Sequence, residues 1–328
     1  MTANVEANAM TAAPLVSVIV PTHGRAALLA RLLDSLAAQD WPADRLEIIV
    51  VHNHTVDGTE AVVRARMSAS AAPLHYHRTA FSRPGPSRQF GAERARGSVL
   101  AFIDDDCIAT PGWIAAGVAG LEDGLALVQG RTIPHPRQSR RLLEKTVQVE
   151  GPTIFFETCN IFYTAAAFRA VGGFPEQFRA LRSAEDTSLG WAMREAGFRT
   201  GYTAAALVHH EVFAVGVGAW LGAVRVVESI PLVARRYPAI RAQLFAGWFL
   251  SPLTAAFNAF ALGAIGGSLV HSSLAVACLP YVWLRFTDRG RFSRPHILLV
   301  RFVCGLPRAT LMAVALIRGS LRARSVVL

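Results

Sequence analysis

Three apolar, β-branched runs stand out in the first third of the chain: Leu15-Val16-Ser17-Val18-Ile19-Val20, Leu46-Glu47-Ile48-Ile49-Val50-Val51 and Val99-Leu100-Ala101-Phe102-Ile103. Each stops abruptly at polar residues, first Pro21-Thr22-His23-Gly24-Arg25, then His52-Asn53, then Asp104-Asp105-Asp106. Runs of this kind suit strands buried on both faces of a parallel sheet. Between the first two, Leu28, Leu29, Leu32, Leu33 and Leu36 recur at helical spacing until Pro42 closes the segment. Strand–helix–strand alternation implies right-handed crossovers and ligands bound outside the carboxyl ends of the strands. Further along, the pattern predicts a helix to about Met67, a strand near Leu74-His75-Tyr76, and a loop, Arg83-Pro84-Gly85-Pro86-Ser87-Arg88, that opens a helix leading to the third run. Leu189, Trp191, Ala192 and Met193 form another helical pattern behind Ser183-Ala184-Glu185-Asp186, with Ser183 placed to cap it.

The carboxyl-terminal third reads differently. From Trp220 to Tyr237 apolar residues mix with Arg225, Glu228, Arg235 and Arg236, compatible with a helix at a membrane surface or with ordinary packing. From Leu244 to Leu284 there is no Asp, Glu, Lys or Arg, a length that fits two spans at ~20 residues each. Gly266-Gly267-Ser268 offers the turn between them. Arg241 before the hairpin and Arg285, Arg289, Arg291 and Arg294 after it place both ends on the cytoplasmic side. The segment from Ile297 to Ile317 is interrupted by Arg301, Pro307 and Arg308, and is read as a helix sunk in the cytoplasmic leaflet in preference to a third span. The expected organisation is thus a loose tail over 1–14, a catalytic domain over 15–215, interfacial helices over 216–243 and a membrane-associated region over 244–328. The hairpin occupies 244–284 and the third segment 297–317.

Composition agrees with contact to lipid. Of 328 residues 52% are apolar and the mean hydropathy is +0.34, high for a purely soluble chain. The net charge of +10 comes from dispersed arginines, with Lys145 the only lysine. No basic run is interleaved with aromatics, which argues against nucleic acid as a partner. Cys107, Cys159, Cys278 and Cys304 lie far apart and form no metal-type pair, as suits a reducing compartment. The first 13 residues lack the charged and apolar regions of a cleavable signal.

The chemistry-bearing feature is the aspartate run. If the strand continued through it, side-chain alternation would put Asp104 and Asp106 on one side and Asp105 on the other. Two carboxylates on one side suit a hard cation, Mg2+ or Mn2+, that keeps positions open for a diphosphate. The bland alternative is a solvated, acid-rich turn. Arg88, at the rim, offers a guanidinium for a phosphate or nucleobase.

Taken in order, Val-Ile-Val-Pro-Thr with Arg25, Ile-Ile-Val-Val with Asp57-Gly58-Thr59, Gly85-Pro86-Ser87-Arg88-Gln89-Phe90-Gly91 and Phe102-Ile103-Asp104-Asp105-Asp106 resemble the family 2 glycosyltransferases. So do Glu157-Thr158-Cys159-Asn160, Val171-Gly172-Gly173-Phe174-Pro175-Glu176 and Glu185-Asp186 with Leu189, Gly197 and Arg199. The resemblance, from about Val16 to Glu211, implies the GT-A fold, an α/β domain with a mostly parallel sheet flanked by helices. It implies a nucleotide-sugar donor held by Pro21, Thr22, Arg25, Asn53, Asp57, Arg88, Asp104 and Asp105. Mn2+ or Mg2+ would sit on Asp104 and Asp106, with His210 a further candidate ligand preferred over His209. Asp186 would be the base that takes the acceptor proton with inversion, and Glu185 and Glu176 would touch the acceptor.

His52 stands where the family usually has an aspartate that reads the nucleobase, Ser188 and Ala192 replace a frequent acid and arginine, and Pro175 replaces an acid. The Gln-x-x-Arg-Trp signature of processive synthases is absent, so one sugar per encounter is expected. The expected enzyme transfers to a lipid or lipid-linked glycan at the cytoplasmic face of the cell membrane. The alternatives are a nucleotidyltransferase on the same metal cradle and a non-catalytic sugar-binding or scaffold protein.

Overall fold

The computed structural model describes residues 13–53, 56–122, 124–141, 143–179, 181, 183–287 and 295–328. The expected tail up to residue 12, and Arg289, Arg291 and Arg294, lie outside the described residues. In chain order the elements are β1 (Val16–Thr22), α1 (Ala26–Ala37), β2 (Leu46–Asn53), α2 (Thr59–Met67), β3 (Leu74–Thr79), α3 (Pro84–Arg94), β4 (Val99–Ile103) and β5 (Cys107–Ala109). There follow α4 (Trp113–Glu122), β6 (Leu127–Pro134), β7 (Glu144–Lys145), β8 (Asn160–Thr164), α5 (Ala165–Ala170), α6 (Glu176–Arg179), α7 (Glu185–Glu195), β9 (Thr200–His210) and β10 (Phe213–Ala214). The last third is helical: α8 (Val217–Gly222), α9 (Ile230–Arg236), α10 (Pro252–Leu269), α11 (Leu279–Thr287) and α12 (Pro295–Ala323).

The chain forms two compact units, the first being Met1–Pro136, Val147–Ala180 and Met193–Glu211, the second Arg137–Thr146, Leu181–Ala192 and Val212–Leu328. The first holds an eight-stranded sheet ordered β3-β2-β1-β4-β8-β6-β9-β5. Its leading half, β3-β2-β1-β4, is parallel, as the strand–helix alternation predicts. The other half is mixed, because β8 runs antiparallel to both β4 and β6 while β6 and β9 are parallel. Every residue of β1, β2 and β4 is buried. Leu29, Leu32, Leu33 and Leu36 supply the buried stripe of α1.

Two local devices align the strands that carry the aspartates. A Cβ at Gly91 in α3 would lie 2.7 Å from Ile19 Cγ2 and 3.3 Å from Val51 Cγ2, so only glycine lets α3 approach β1 and β2 this closely. At the opposite strand ends the buried Glu47 carboxylate accepts from Ser17 Oγ (2.6 Å), the Arg96 amide (2.7 Å) and Arg96 Nε (2.9 Å). Ser17 Oγ in turn accepts from the Gly97 amide (2.8 Å). Burial alone would raise the Glu47 pKa, but these bonds outweigh it and hold the carboxyl below its ordinary value.

In the second unit, Leu244 to Ser251 form turns and α10 begins at Pro252, where Ser251 and Thr254 make a reciprocal capping box. The glycines expected to turn the hairpin lie inside α10, and the reversal falls later, at Val270-His271. Their role is packing. A Cβ at Gly263 would meet Ala277 Cβ at 2.8 Å, one at Gly266 would meet Leu274 Cδ1 at 2.9 Å, and one at Gly267 would meet Ala275 Cβ at 3.1 Å. Small residues let two apolar segments approach closely. The returning strand of the hairpin is a 3-10 stretch over Ser272–Cys278 followed by α11. Phe257, Tyr281, Phe260 and Phe302 knit α10, α11 and α12 together. Among the described residues three helical stretches, Val217–Arg236, Pro252–Leu269 and Phe302–Ala323, are long and apolar enough to cross a membrane. The chain continues helically through Pro307.

Candidate active site

β4 ends at Ile103, and Asp105 and Asp106 form a turn closed by the Cys107 amide donating to the Asp104 carbonyl (3.1 Å). The alternation expected for a continuing strand therefore lapses. Asp105 and Asp106 share one guanidinium nitrogen, Arg25 Nη1, at 3.0 and 2.7 Å, whereas Asp104 pairs with the buried Arg88, Nη2 to Oδ1 2.5 Å. Thr22 Oγ1 donates to Asp105 Oδ2 (2.8 Å), tying the end of β1 to this turn. Burial pushes the Asp105 carboxyl up to about 6, despite Arg25 beside it. Burial acts in the same direction on Asp104, but Arg88 overcomes it and holds that group below the ordinary range.

The antiparallel pairing of β5 with β9 sets Cys107 opposite His210, and the Glu211 amide donates to the Asp106 carbonyl (2.9 Å). This register brings His210 Nε2 to 3.4 Å from Asp106 Oδ1. His210 Nδ1 lies 2.8 Å from the Glu211 carbonyl oxygen, which can only accept, so Nδ1 carries a proton and the ring is oriented with Nε2 toward Asp106. Asp106 Oδ1 is buried and receives no hydrogen bond. A buried carboxylate oxygen without a hydrogen bond, beside an imidazole nitrogen, suits a cation. Carboxylate oxygen and imidazole nitrogen are suitable ligands for Mn2+ or Mg2+, and the Nδ1 bond is the outer-shell support that orients a metal-binding histidine. The Cys107 thiol completes a cluster whose ligand atoms lie within 4.8 Å of one another, but burial holds its pKa well above the ordinary value and keeps it a neutral thiol. His209 instead meets His135 edge-on, with ring centroids 5.8 Å apart.

At the end of β2, His52 is buried between two partners, Nδ1 2.8 Å from the Tyr76 hydroxyl and Nε2 3.4 Å from Asp57 Oδ1. Burial lowers its pKa, so the ring is neutral at physiological pH. Asp57 Oδ1 also accepts from the Thr59 amide (2.9 Å) at the start of α2. Asn53 Oδ1 accepts from Ser87 Oγ (2.5 Å) and Thr79 Oγ1 (3.3 Å), so this candidate donor contact fastens β2 to β3 and α3. Pro21 is buried at the end of β1 beside Thr22.

Glu176 opens α6 in the first unit and is exposed. Gly172 and Gly173 precede it at φ +79° and +70°, the left-handed conformation that glycine adopts without strain. Glu185 and Asp186 belong to the second unit, in the first turn of α7. There Glu185 is buried and Asp186 Oδ1 accepts from the Thr187 amide (2.7 Å). Ser183 does not cap this helix, because its hydroxyl donates to the Val226 carbonyl (2.7 Å). Ala184 just before it stands at φ +81°, a conformation that costs a non-glycine residue of order 1–3 kcal/mol.

Two contributors went unpredicted. Tyr76 orients His52 from the neighbouring strand, and Glu211 both fixes the β9 register and pairs with Arg31 (2.9 Å). Asn160, read as part of a functional motif, is a buried fastener between Trp113 Nε1 (2.8 Å) and the carbonyls of Arg131 (2.8 Å) and Ala206 (2.9 Å).

Residues 17–180, half of the chain, match the family described as Glycosyl transferase family 2, and the chain belongs to it, with a mixed α/β GT-A fold. Among its relatives, validoxylamine A glucosyltransferase of Streptomyces hygroscopicus subsp. jinggangensis is 29% identical over 221 residues, 56% of this chain and 52% of that one. Glycosyltransferase AglE of Haloferax volcanii is 26% identical over 171 residues, 49% and 56%. A Campylobacter jejuni GalNAc(5)-diNAcBac-PP-undecaprenol beta-1,3-glucosyltransferase is 30% identical over 122 residues, 37% and 38%. The chain spans about half the length of the curated relatives it matches first. Among solved structures the mannosyltransferase PcManGT of Pyrobaculum calidifontis, in complex with GDP-Man and Mn2+, superposes with a TM-score of 0.59 at 19% identity over 96% of this chain and 88% of that one.

Proposed function

We propose that the protein is a membrane-associated, divalent-metal-dependent inverting glycosyltransferase. It moves one sugar from a nucleotide-diphosphate sugar to a lipid or lipid-linked glycan at the cytoplasmic face of the cell membrane. The observation that carries the reading is the buried Asp106 Oδ1, which receives no hydrogen bond and lies 3.4 Å from His210 Nε2, at the strand ends of a family 2 domain. A divalent cation held there by Asp106 and His210 supplies charge compensation for the departing nucleoside diphosphate. Arg25 and Arg88 screen the three carboxylates in the absence of donor and offer guanidinium forks to its diphosphate oxygens. Asp104 and Asp105 hold those two arginines in place. The Asp57 carboxylate, backed by the neutral His52, faces the nucleoside end and takes the place of the aspartate common in the family. Asp186 accepts the proton of the acceptor hydroxyl as its oxygen bonds to the anomeric carbon and the bond to the diphosphate breaks, with Glu185 and Glu176 at the acceptor. The undecaprenol-linked acceptor in the Campylobacter relative's name and the exposed apolar surface of α10 support a lipid-borne acceptor.

Purified full-length protein with Mn2+ and a panel of UDP-, GDP- and dTDP-sugars should release nucleoside diphosphate slowly, and EDTA should stop it. Pyrophosphate release from a nucleoside triphosphate would point to a nucleotidyltransferase. No release with any donor, in the presence of lipid extract, would leave only a non-catalytic role.

A further inference from the structure

Gln129 on β6, Ile161 on β8, Phe102 on β4 and Ile19 on β1 pair across the sheet in one row, so their side chains share one face. Helix α3 covers that face, with Gly91 against Ile19, and brings Arg88 to Asp104, two residues beyond Phe102. Because β8 runs antiparallel to β4, with Asn160 opposite Ile103, the residues before Asn160 continue past the same strand end as the aspartates. Glu157 is one of them. The amide of the buried Gln129 reaches it, Nε2 donating to Glu157 Oε2 at 2.6 Å. Thr153 Oγ1 donates to the same oxygen, also at 2.6 Å, while accepting from the amides of Phe155 (3.2 Å) and Phe156 (3.3 Å). Phe156 stands at φ +53°, so the bend that presents Glu157 is held by its neighbours against an unfavourable backbone conformation. Burial raises the Cys159 thiol pKa well above its ordinary value, and the charges of Asp104 and Glu157 add to the rise, which puts both carboxylates about one thiol.

Both bonds fall on one oxygen. Glu157 Oε1 accepts none among the described residues, and no cationic side chain among them forms an ion pair with Glu157. A carboxylate fixed by neutral donors, with its second oxygen open, is an acceptor prepared for one more hydrogen. What supplies that hydrogen follows from the order of the strands, β2-β1-β4-β8-β6. The proposed transfer puts the nucleoside at β2 beside Asp57 and the diphosphate at β1 and β4 beside Arg25 and Arg88. The strand ends next in line, β8 and β6, follow at about 5 Å intervals, where the sugar borne by the diphosphate comes to lie. Phosphate oxygens are anionic and only accept, so Glu157 repels them, whereas sugar hydroxyls donate.

We propose that Glu157 is a donor-sugar contact, its Oε1 accepting from a hydroxyl of the sugar, with Gln129 and Thr153 as the positioning residues that aim it. The assignment rests on the nucleotide-sugar donor of the proposed transfer and adds the residue that reads the sugar. Full-length protein with Mn2+ is titrated by calorimetry with UDP, GDP and dTDP and with UDP-, GDP- and dTDP-hexoses, and the tightest hexose donor is carried forward with its bare diphosphate. Glu157→Gln should bind that donor at least tenfold more weakly than wild type, while the bare diphosphate binds within twofold. A residue that only braced the loop would weaken both alike or neither. Donor analogues that each lack one sugar hydroxyl locate the contact: one should bind wild type at least tenfold more weakly than the complete donor, yet bind Glu157→Gln as well as the complete donor does. If Glu157→Gln does not fold, the same analogues on wild type and Glu157→Asp, which keeps the charge but draws it back by one methylene, carry the comparison. Equal changes for donor and bare diphosphate, no change in either, or uniform binding of the analogues by wild type overturns the assignment. So does a loss confined to transfer onto lipid extract, which would put Glu157 at the acceptor. Wild type that binds nucleotides while Glu157 proves inert strikes this assignment alone; wild type that binds none of them strikes the proposed transfer with it.

Discussion

Asp106 and Asp186 are both carboxylates, yet their surroundings set them to separate tasks, and isosteric substitutions should separate the two. Asp106→Asn keeps the shape of the turn but removes the anionic oxygen that faces His210 Nε2. Mn2+-dependent donor binding, followed by calorimetry, should fall at least tenfold, about 1.4 kcal/mol. Asp186→Asn should leave donor binding intact while kcat falls by about 10²–10⁴, the usual contribution of a positioned base; normal turnover would show that the base lies elsewhere. The acids stand out in the sequence at the end of a buried apolar run, where an acid-rich turn is the competing explanation, and His210 enters only through the family resemblance; the fold brings His210 beside Asp106. The partners of those residues were not legible. Nothing local links Asp104 to Arg88 rather than to Asp106, or His52 to Tyr76 on the next strand, because strand register decides those pairs. The alternation rule failed at Asp105 for a local reason, the turn that begins where β4 ends.

Whole elements depend on contacts with equally little local signature. Glu47 reads as one polar residue in an apolar strand, but it joins the starts of β1 and β2 to the segment before β4. Glu47→Gln should destabilise the first unit by on the order of 1–3 kcal/mol, measured by denaturant unfolding. Its carboxyl is held below its ordinary value in the fold, so its stabilisation is fully present above the unfolded glutamate pKa of about 4.3 and is lost as pH falls below it. The gap between wild type and Glu47→Gln should therefore narrow in acid; a gap constant from pH 7 to pH 3 would rule out the ionised form as its source. Gly266 and Gly267 show the opposite error, a turn predicted from composition where the helix continues. In water, paired glycines mark turns, but against a second apolar helix they mark close approach. Gly263→Leu should accordingly open the hairpin and lower thermal stability in detergent, whereas Gly218→Leu, where an added Cβ meets nothing within 4 Å, should not.

At the scale of the molecule, the apolar helices have two faces that call for different surroundings. On α10 the glycine face packs against its own return segment, while Leu262, Ile265 and Leu269, spaced to lie on one side, are 73%, 58% and 80% exposed. Water penalises such a row, and lipid does not. The charge-free stretch from Leu244 to Leu284 is what raises the expectation of lipid in this region, but its length alone could not distinguish buried from exposed positions. The triple variant Leu262→Asp, Ile265→Asp, Leu269→Asp puts three carboxylates on that row, each costing about 2.5–3.5 kcal/mol at the centre of a bilayer by insertion scales. Wild-type protein should fractionate with membranes and require detergent rather than high salt for release, while the variant should move to the soluble fraction or fail to accumulate. Because the substitutions lie in the second unit, any soluble variant should still release nucleoside diphosphate from its donor while losing transfer to membrane-borne acceptor. If wild type and variant partition alike, the exposed row faces protein or water, and the acceptor must be sought away from the bilayer.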